Sequence, residues 1–208
     1  MRPHVSARAG KAIAIACALS LAVAATTYAR FGSSYDNNCD TTIYAQCVAP
    51  NAYETVSINV GGSYATQIRW AMANYNSVAP PVDMVEFYPF PPNYSDVLVG
   101  ATTSPNYALA WTQCATGATY GGSDASHTRW CTPQRLIYNL ACEASHFPTD
   151  NAKRYIACHE LGHTVGLRPP LSTEPQVTCM RNAGISPKYV PTYTTTSTTE
   201  RAQIASHY

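Results

Sequence analysis

The residues with the clearest chemistry are His159, Glu160 and His163, in the run that begins at Cys158. On an α-helix, which advances about 100° per residue, the two histidines point only about 40° apart, and Glu160 points about 60° to the side of His163. A water-activating zinc ion requires such a set on one face, with the imidazoles as metal ligands and the carboxylate as general base. The spacing H-E-x-x-H therefore predicts a hydrolytic zinc site.

A helix has to hold these three side chains, and local signals predict one. Thr149 and Asp150 are a helix cap, so we expect a helix over about residues 151–165. Gly166 follows His163 by three residues and can adopt the left-handed conformation that ends a helix and turns the chain back. Such a turn brings a residue a few positions onward to the same metal ion.

The chain before this helix is predicted to form a sheet and one further helix. Alternating or continuous apolar residues favour strands at 56–60, 82–88, 97–99, 107–112 and 135–140. The segments 82–88 and 97–99 are apolar on both faces, so we expect central strands there. Ser63 is the expected N-cap of a helix over 64–76, and a Gly, Ser and Asp loop is expected over 115–130. A capping box at 197–200 predicts a short terminal helix to about 206.

Composition indicates one globular domain. The chain has 208 residues, of which 46% are hydrophobic and 12% charged, enough to bury a sizeable core. The formal net charge of +1 gives no field that would attract a nucleic acid or an anionic membrane. We therefore expect neither as a partner, and we expect a monomer.

The N-terminal segment is typical of a secretory signal peptide. Three basic residues come first: Arg2, Arg8 and Lys11. The uncharged stretch 12–25 follows, with small residues that suit cleavage after Ala25 or Ala29. A membrane anchor is the alternative, but the stretch falls short of the roughly 18 residues of a spanning helix. We expect a signal peptide over 1–29 and an extracellular mature domain over 30–208.

Cysteine usage agrees with export. Loss of the signal peptide leaves seven cysteines: Cys39, Cys47, Cys114, Cys131, Cys142, Cys158 and Cys179. An oxidising compartment favours disulfides, and the odd number leaves one thiol over. Local pairs would be Cys39 with Cys47 and Cys114 with Cys131, with Cys142 as the candidate odd thiol, although spacing does not determine connectivity.

The extended pattern H-E-x-x-H-x-x-G followed by a methionine turn resembles the metzincin zinc endopeptidases. His159, Glu160, His163 and Gly166 match that pattern, and Met180 lies at a suitable distance for the methionine beneath the metal. The resemblance implies a single α+β zincin domain with a twisted mixed sheet, an active-site helix and a C-terminal helix. It also implies a Zn²⁺ cofactor, a protein or peptide substrate, and attack by water with Glu160 as the base.

The resemblance carries one structural expectation, and helical geometry carries another. The antiparallel edge strand of such a sheet binds the substrate by strand addition, and its nearest match here is 107–113. Cys158 points about 100° away from His159 around the helix, so a disulfide is a better role for it than metal binding. A bond to Cys179 would tie the methionine turn to the helix and close a loop worth roughly 3 kcal/mol.

Pro169 departs from the family pattern, because the third metal ligand is expected at this position. Glu174 is our expected replacement, since zinc accepts a carboxylate ligand. Glu200 or His207 from the terminal helix would be another source. The third explanation is a site that has lost its ligand, in a catalytically impaired binding or structural module. The intact Glu160 favours the enzyme.

Overall fold

The computed structural model describes residues 49–77, 82–87, 95–104, 109–121, 130–142, 149–167, 178–180 and Ile204. Within these ranges the chain forms five strands and two α-helices. In chain order they are β1 (Tyr53–Ile58), α1 (Gly62–Asn76), β2 (Asp83–Glu86), β3 (Val97–Thr102), β4 (Ala110–Gly121), β5 (Trp130–Asn139) and α2 (Asp150–Thr164), with a 3₁₀ turn at Leu140–Cys142 between the last two.

The five strands form one mixed sheet in the order β2-β1-β3-β5-β4. The first four strands in this order pair in parallel, and β4 pairs antiparallel with β5 at one edge. This arrangement confirms the expected fold class, a mixed sheet with an active-site helix. The expected antiparallel edge strand is β4, which is longer than predicted.

Helix α1 confirms the predicted helix but not its predicted cap. Its buried face includes the apolar residues of the helical pattern: Tyr64, Ile68, Ala71, Met72 and Tyr75. The N-cap is Gly61 rather than Ser63, because the chain enters the helix through Gly62 at a φ of +58°. Ser63 lies in the first turn, and its Oγ accepts a hydrogen bond from Lys153 Nζ at 2.8 Å.

Strand β2 lies at an edge of the sheet, so the expectation of a central strand was wrong. Met84 faces the core, whereas Val85 and Phe87 remain 38% and 39% exposed. A short apolar run does not distinguish a strand covered on both faces from an edge strand with apolar side chains in solvent. The central position belongs to β3, whose Val97 and Val99 are buried as predicted.

Antiparallel strands replace part of the loop expected over 115–130. Strand β4 continues to Gly121 and β5 begins at Trp130, with a register shift between Cys114 and Thr119. The outer part of β4 is exposed on both faces and has no apolar alternation, which is why its sequence resembled a loop. The expected disulfide between Cys114 and Cys131 joins the two strands here.

The core lies between the sheet and the two helices. Its large, fully buried side chains include Tyr75, Tyr138, Tyr155, Leu136, Leu161, Met180 and Ile204. Two cationic side chains of α2 also bind α1 across the helix pair. Lys153 lies over the Tyr64 ring, and Arg154 donates to Gln67 Oε1 at 2.7 Å while lying over the Trp70 ring. These contacts orient α2 against α1.

Several expectations fall outside the described residues. They are the signal peptide, the Cys39 and Cys47 pair, Pro169, Glu174, Glu200, His207 and the terminal helix, of which Ile204 alone is described, as helical and buried. The side chain of Cys142 is also outside. None of the helices among the described residues is long and apolar enough to span a membrane.

Candidate metal centre and catalytic base

Helix α2 begins and ends as its sequence predicts. The Thr149 hydroxyl accepts a hydrogen bond from the Ala152 amide at 3.2 Å, which satisfies an amide of the first turn. At the other end Gly166 has a φ of +80°, and the Leu167 amide donates to the Gly162 carbonyl at 2.8 Å. This tight turn confirms the predicted role of Gly166 and folds Leu167 back toward the helix.

The two histidines on α2 face each other through Nε2. Nδ1 of His159 lies 2.9 Å from the Cys179 carbonyl oxygen, and Nδ1 of His163 lies 3.0 Å from that of Leu167. A carbonyl oxygen only accepts, so each Nδ1 donates a proton, and in the neutral form of each ring the Nε2 lone pair can bind a metal ion. Burial also lowers the pKa of His159, although the hydrogen bond to Cys179 opposes this shift.

The two lone pairs fit a single zinc ion. The Nε2 atoms are 3.1 Å apart and the rings are nearly perpendicular, at 88°. Two nitrogens at about 2.0–2.1 Å from a tetrahedral zinc would lie about 3.3 Å apart. Without a cation, two lone pairs at this distance repel, so the pair is arranged for an electrophile. Carbonyl acceptors behind ligating histidines are common and fix the ring orientation.

The described residues supply two of the expected ligands and no more. Within the described ranges, no three His, Cys, Asp or Glu side chains come together in a way that could hold a metal ion. Glu174, the expected third ligand, lies outside those ranges. The described residues therefore provide two nitrogen donors, from His159 and His163.

Glu160 is a buried carboxylate beside the two histidines. Its side chain is 5% exposed, and Oε2 accepts a hydrogen bond from Thr112 Oγ1 at 3.0 Å. Burial raises the pKa of Glu160 to about 7, and the Thr112 hydrogen bond opposes the rise. A carboxylate with such a pKa can accept a proton and release it near neutral pH, as a general base must.

The segment Thr178–Met180 packs beneath α2 and is bonded to it. Cys158 and Cys179 form the expected disulfide, which places the Cys179 carbonyl beside the ring of His159. Met180 is fully buried against the helix. The disulfide therefore joins the residue next to one histidine to the residue that orients that histidine.

Gly162 lies where Tyr75 of α1 and Met180 pack closely against α2. A Cβ added at Gly162 would collide with Met180 Sδ and the Tyr75 hydroxyl oxygen. That hydroxyl donates to the Cys158 carbonyl at 2.7 Å. A glycine inside a helix costs roughly 1 kcal/mol relative to alanine, so a close approach explains its presence here.

A second buried carboxylate lies under the C-terminal end of α2. Glu54 on β1 is fully buried, and its Oε2 accepts a hydrogen bond from Thr164 Oγ1 at 3.0 Å. Among the described residues its Oε1 has no hydrogen-bond partner. Burial raises the pKa of Glu54 to about 8; the Thr164 hydrogen bond lowers it, and the charge of Asp96 raises it further.

The sequence predicted His159, Glu160, His163, Gly166 and the Cys158–Cys179 bond, but it gave no role to three groups. Thr112, Tyr75 and Glu54 contact α2 from distant parts of the chain, and nothing in their local sequence indicates those contacts. Gly162 did carry a signal, because a glycine within a predicted helix indicates close packing. No close contact at Gly162 was predicted from the sequence.

Comparison with known proteins gives a matching family model and similarities to solved structures. The family model described as "Dual-action HEIGH metallo-peptidase" matches residues 20–202. This chain reads H-E-L-G-H over 159–163, with Leu161 at the isoleucine of that motif. The crystal structure of myroilysin is similar with a TM-score of 0.45 and 14% identity, over 77% of this chain and 85% of that chain. No curated protein matches the sequence.

Proposed function

This chain belongs to the HEIGH metallopeptidase family, and on that premise we propose that it is a secreted, zinc-dependent endopeptidase. The observation that carries the proposal is the pair of Nε2 atoms, 3.1 Å apart, on His159 and His163, whose Nδ1 atoms each contact a carbonyl oxygen. Zinc with nitrogen ligands at this spacing is a common hydrolytic centre. The substrate is a protein or peptide, since the family consists of peptidases.

The residues of this chain have separate tasks in the proposed reaction. His159 and His163 hold the zinc ion through Nε2, and the carbonyls of Cys179 and Leu167 keep the rings in place. When bound, zinc lowers the pKa of water and polarises the scissile carbonyl. Glu160 takes the proton of the attacking water and passes it to the leaving amine.

The substrate is proposed to pair with β4 as an added strand. Among the described residues β4 is the last strand at its edge of the sheet, so one side of its backbone is available for pairing. A strand added there would run past Glu160, because Thr112 of β4 contacts that side chain. Main-chain pairing does not depend on the side chains of the substrate, so pockets for alternate substrate side chains would provide the specificity.

Glu174 is the proposed third metal ligand, in place of a residue at position 169. A carboxylate completes a two-histidine zinc site in other hydrolytic enzymes. Glu174→Gln should weaken zinc binding by about tenfold or more while the disulfides and fold persist. If Glu200 or His207 is the ligand instead, the same loss will appear in Glu200→Gln or His207→Ala and not in Glu174→Gln.

Export is proposed from two independent observations. The N-terminal 29 residues have the pattern of a cleaved signal peptide. The mature region contains disulfides at Cys114–Cys131 and Cys158–Cys179, which persist in oxidising compartments. N-terminal sequencing of the protein recovered outside the cell should begin after Ala25 or Ala29.

The test of the proposed function measures zinc and cleavage on the same mature protein. We expect about one zinc per chain, cleavage of casein at internal bonds, and loss of cleavage with retention of zinc in Glu160→Ala. Glu86→Ala, which removes a partly exposed carboxylate on β2, is the control and should cleave normally. A wild-type protein with neither zinc nor cleavage would instead indicate the impaired binding module that Pro169 motivates.

A further inference from the structure

Thr112 is a strand residue whose hydroxyl contacts the proposed base twice. The residue is 1% exposed, and Oγ1 lies 3.0 Å from Glu160 Oε2 and 2.9 Å from the Glu160 main-chain oxygen. Both contacts reach from the edge strand to the active-site helix. The Thr112 hydroxyl is therefore within hydrogen-bonding distance of both a side-chain oxygen and the main-chain oxygen of Glu160.

The main chain of Thr112 points in a different direction from its hydroxyl. Leu109 and Asn139 lie opposite each other across β4 and β5, and the Asn139 amide donates to the Leu109 carbonyl at 2.9 Å. In an antiparallel strand pair, positions whose main chain bonds to the partner strand alternate with positions whose amide and carbonyl point away from it. Counting by two, Trp111 and Gln113 bond toward β5, whereas the amide and carbonyl of Thr112 point to the side of β4 that faces away from β5.

We propose that Thr112 is the positioning residue for Glu160, and that it joins the substrate-pairing edge to the proton-accepting side chain. The inference rests on the proposed function and deepens it. An added substrate strand would pair with the main chain of residue 112. The hydroxyl of that residue would hold the carboxyl that serves the attacking water.

One hydroxyl can hold Glu160 both before and after it takes a proton. A threonine hydroxyl has one hydrogen to donate and two lone pairs to accept with. Toward the ionised carboxylate it donates to Oε2, which is the stronger, charge-assisted bond. When Oε2 carries the proton, the hydroxyl accepts from it and donates to the Glu160 main-chain oxygen. The side chain keeps its place in both states.

The test compares Thr112→Val, which keeps the shape and loses the hydroxyl, with Thr112→Ser, which keeps the hydroxyl. For a peptide that the wild type cleaves, Thr112→Val should lower kcat roughly ten- to a hundredfold with KM within about twofold of wild type. Thr112→Ser should restore kcat to within about threefold of wild type. Zinc per chain should be the same in all three proteins. Thr66→Val, at an exposed position on α1, is the control and should leave kcat unchanged.

A second measurement does not depend on catalysis. The free energies of urea unfolding of Thr112→Val, Glu160→Ala and the double variant form a cycle that isolates the contact between the two side chains. We expect the effects to be clearly non-additive. Additive effects, or a Thr112→Val enzyme within about threefold of wild-type kcat, would overturn this inference and leave the proposed function intact. A zinc-loaded wild type that cleaves nothing would overturn both.

Discussion

Replacing Glu54 by glutamine should change how the stability of this protein depends on pH. Glu54 is fully buried beneath the end of α2 and accepts one hydrogen bond, from Thr164. Its pKa is raised from 4.5 to about 8, chiefly by burial. Glutamine has nearly the same shape and does not ionise, so it imitates the protonated carboxyl that the folded protein contains at neutral pH.

The direction of this pH dependence follows from whether the folded or the unfolded protein keeps the Glu54 proton. Between pH 4.5 and about 8 the folded protein keeps the Glu54 proton and the unfolded chain has released it, so rising pH favours unfolding. This contribution to stability is fully present below pH 4.5 and is lost as the pH approaches 8. With one pKa unit worth ~1.4 kcal/mol, the loss between pH 5 and pH 8 is on the order of 3 kcal/mol.

The assay is urea unfolding of the disulfide-intact protein, followed by circular dichroism from pH 5 to pH 8. The difference in unfolding free energy between Glu54→Gln and wild type should move by roughly 3 kcal/mol in favour of the variant across this range. Thr66→Val changes an exposed residue that does not titrate and should show the wild-type pH dependence. A Glu54→Gln variant whose stability runs parallel to wild type at every pH would refute the reasoning.

Three further perturbations follow from the contacts around α2. Gly162→Ala should destabilise the protein by about 1–3 kcal/mol, because its Cβ meets Met180 and Tyr75, and calorimetry should show almost no such effect for Gly100→Ala, which has open space. Replacing both cysteines of the Cys158–Cys179 bond by serine should cost roughly 3 kcal/mol and weaken zinc binding, measured by competition with a chelator. Replacing Cys114 and Cys131 by serine should lower stability and leave the zinc affinity unchanged. An equal loss of zinc affinity in the two double variants would contradict the role given to the Cys179 carbonyl. Pro169→His should tighten zinc binding by tenfold or more if position 169 is the vacated ligand site, and unchanged affinity would assign the third ligand elsewhere.

Local sequence predicted the helix of the site well because its signals are local. The Thr149 cap and Gly166 act within α2 itself and have their predicted roles in the structure, and the i, i+4 histidines lie on one face of this helix. The Cys158–Cys179 bond was also predicted, because helical geometry directs Cys158 away from the metal face. Such features depend on neighbours within a few residues, so a single sequence contains them.

Contacts between distant elements could not be predicted in the same way. Thr112 meets Glu160 only because β4 lies at the sheet edge beside α2, and that position depends on the strand order. Glu54 is buried because α2 ends above β1. The same limit produced the errors: Val85 gave β2 the pattern of a central strand, and the exposed outer part of β4 resembled a loop. The strand order of the sheet decides that β2 is an edge strand, and pairing with β5 decides that the outer part of β4 is a strand.

The most direct test of the central claim is a zinc add-back titration. The mature protein is stripped with a chelator, and casein cleavage is followed as zinc is returned to wild type and to Glu160→Ala. The account predicts that wild-type cleavage recovers with about one equivalent of zinc, while the variant binds the same equivalent and does not cleave. Cleavage that is independent of zinc, or equal cleavage by the variant, would contradict the roles given to His159, His163 and Glu160.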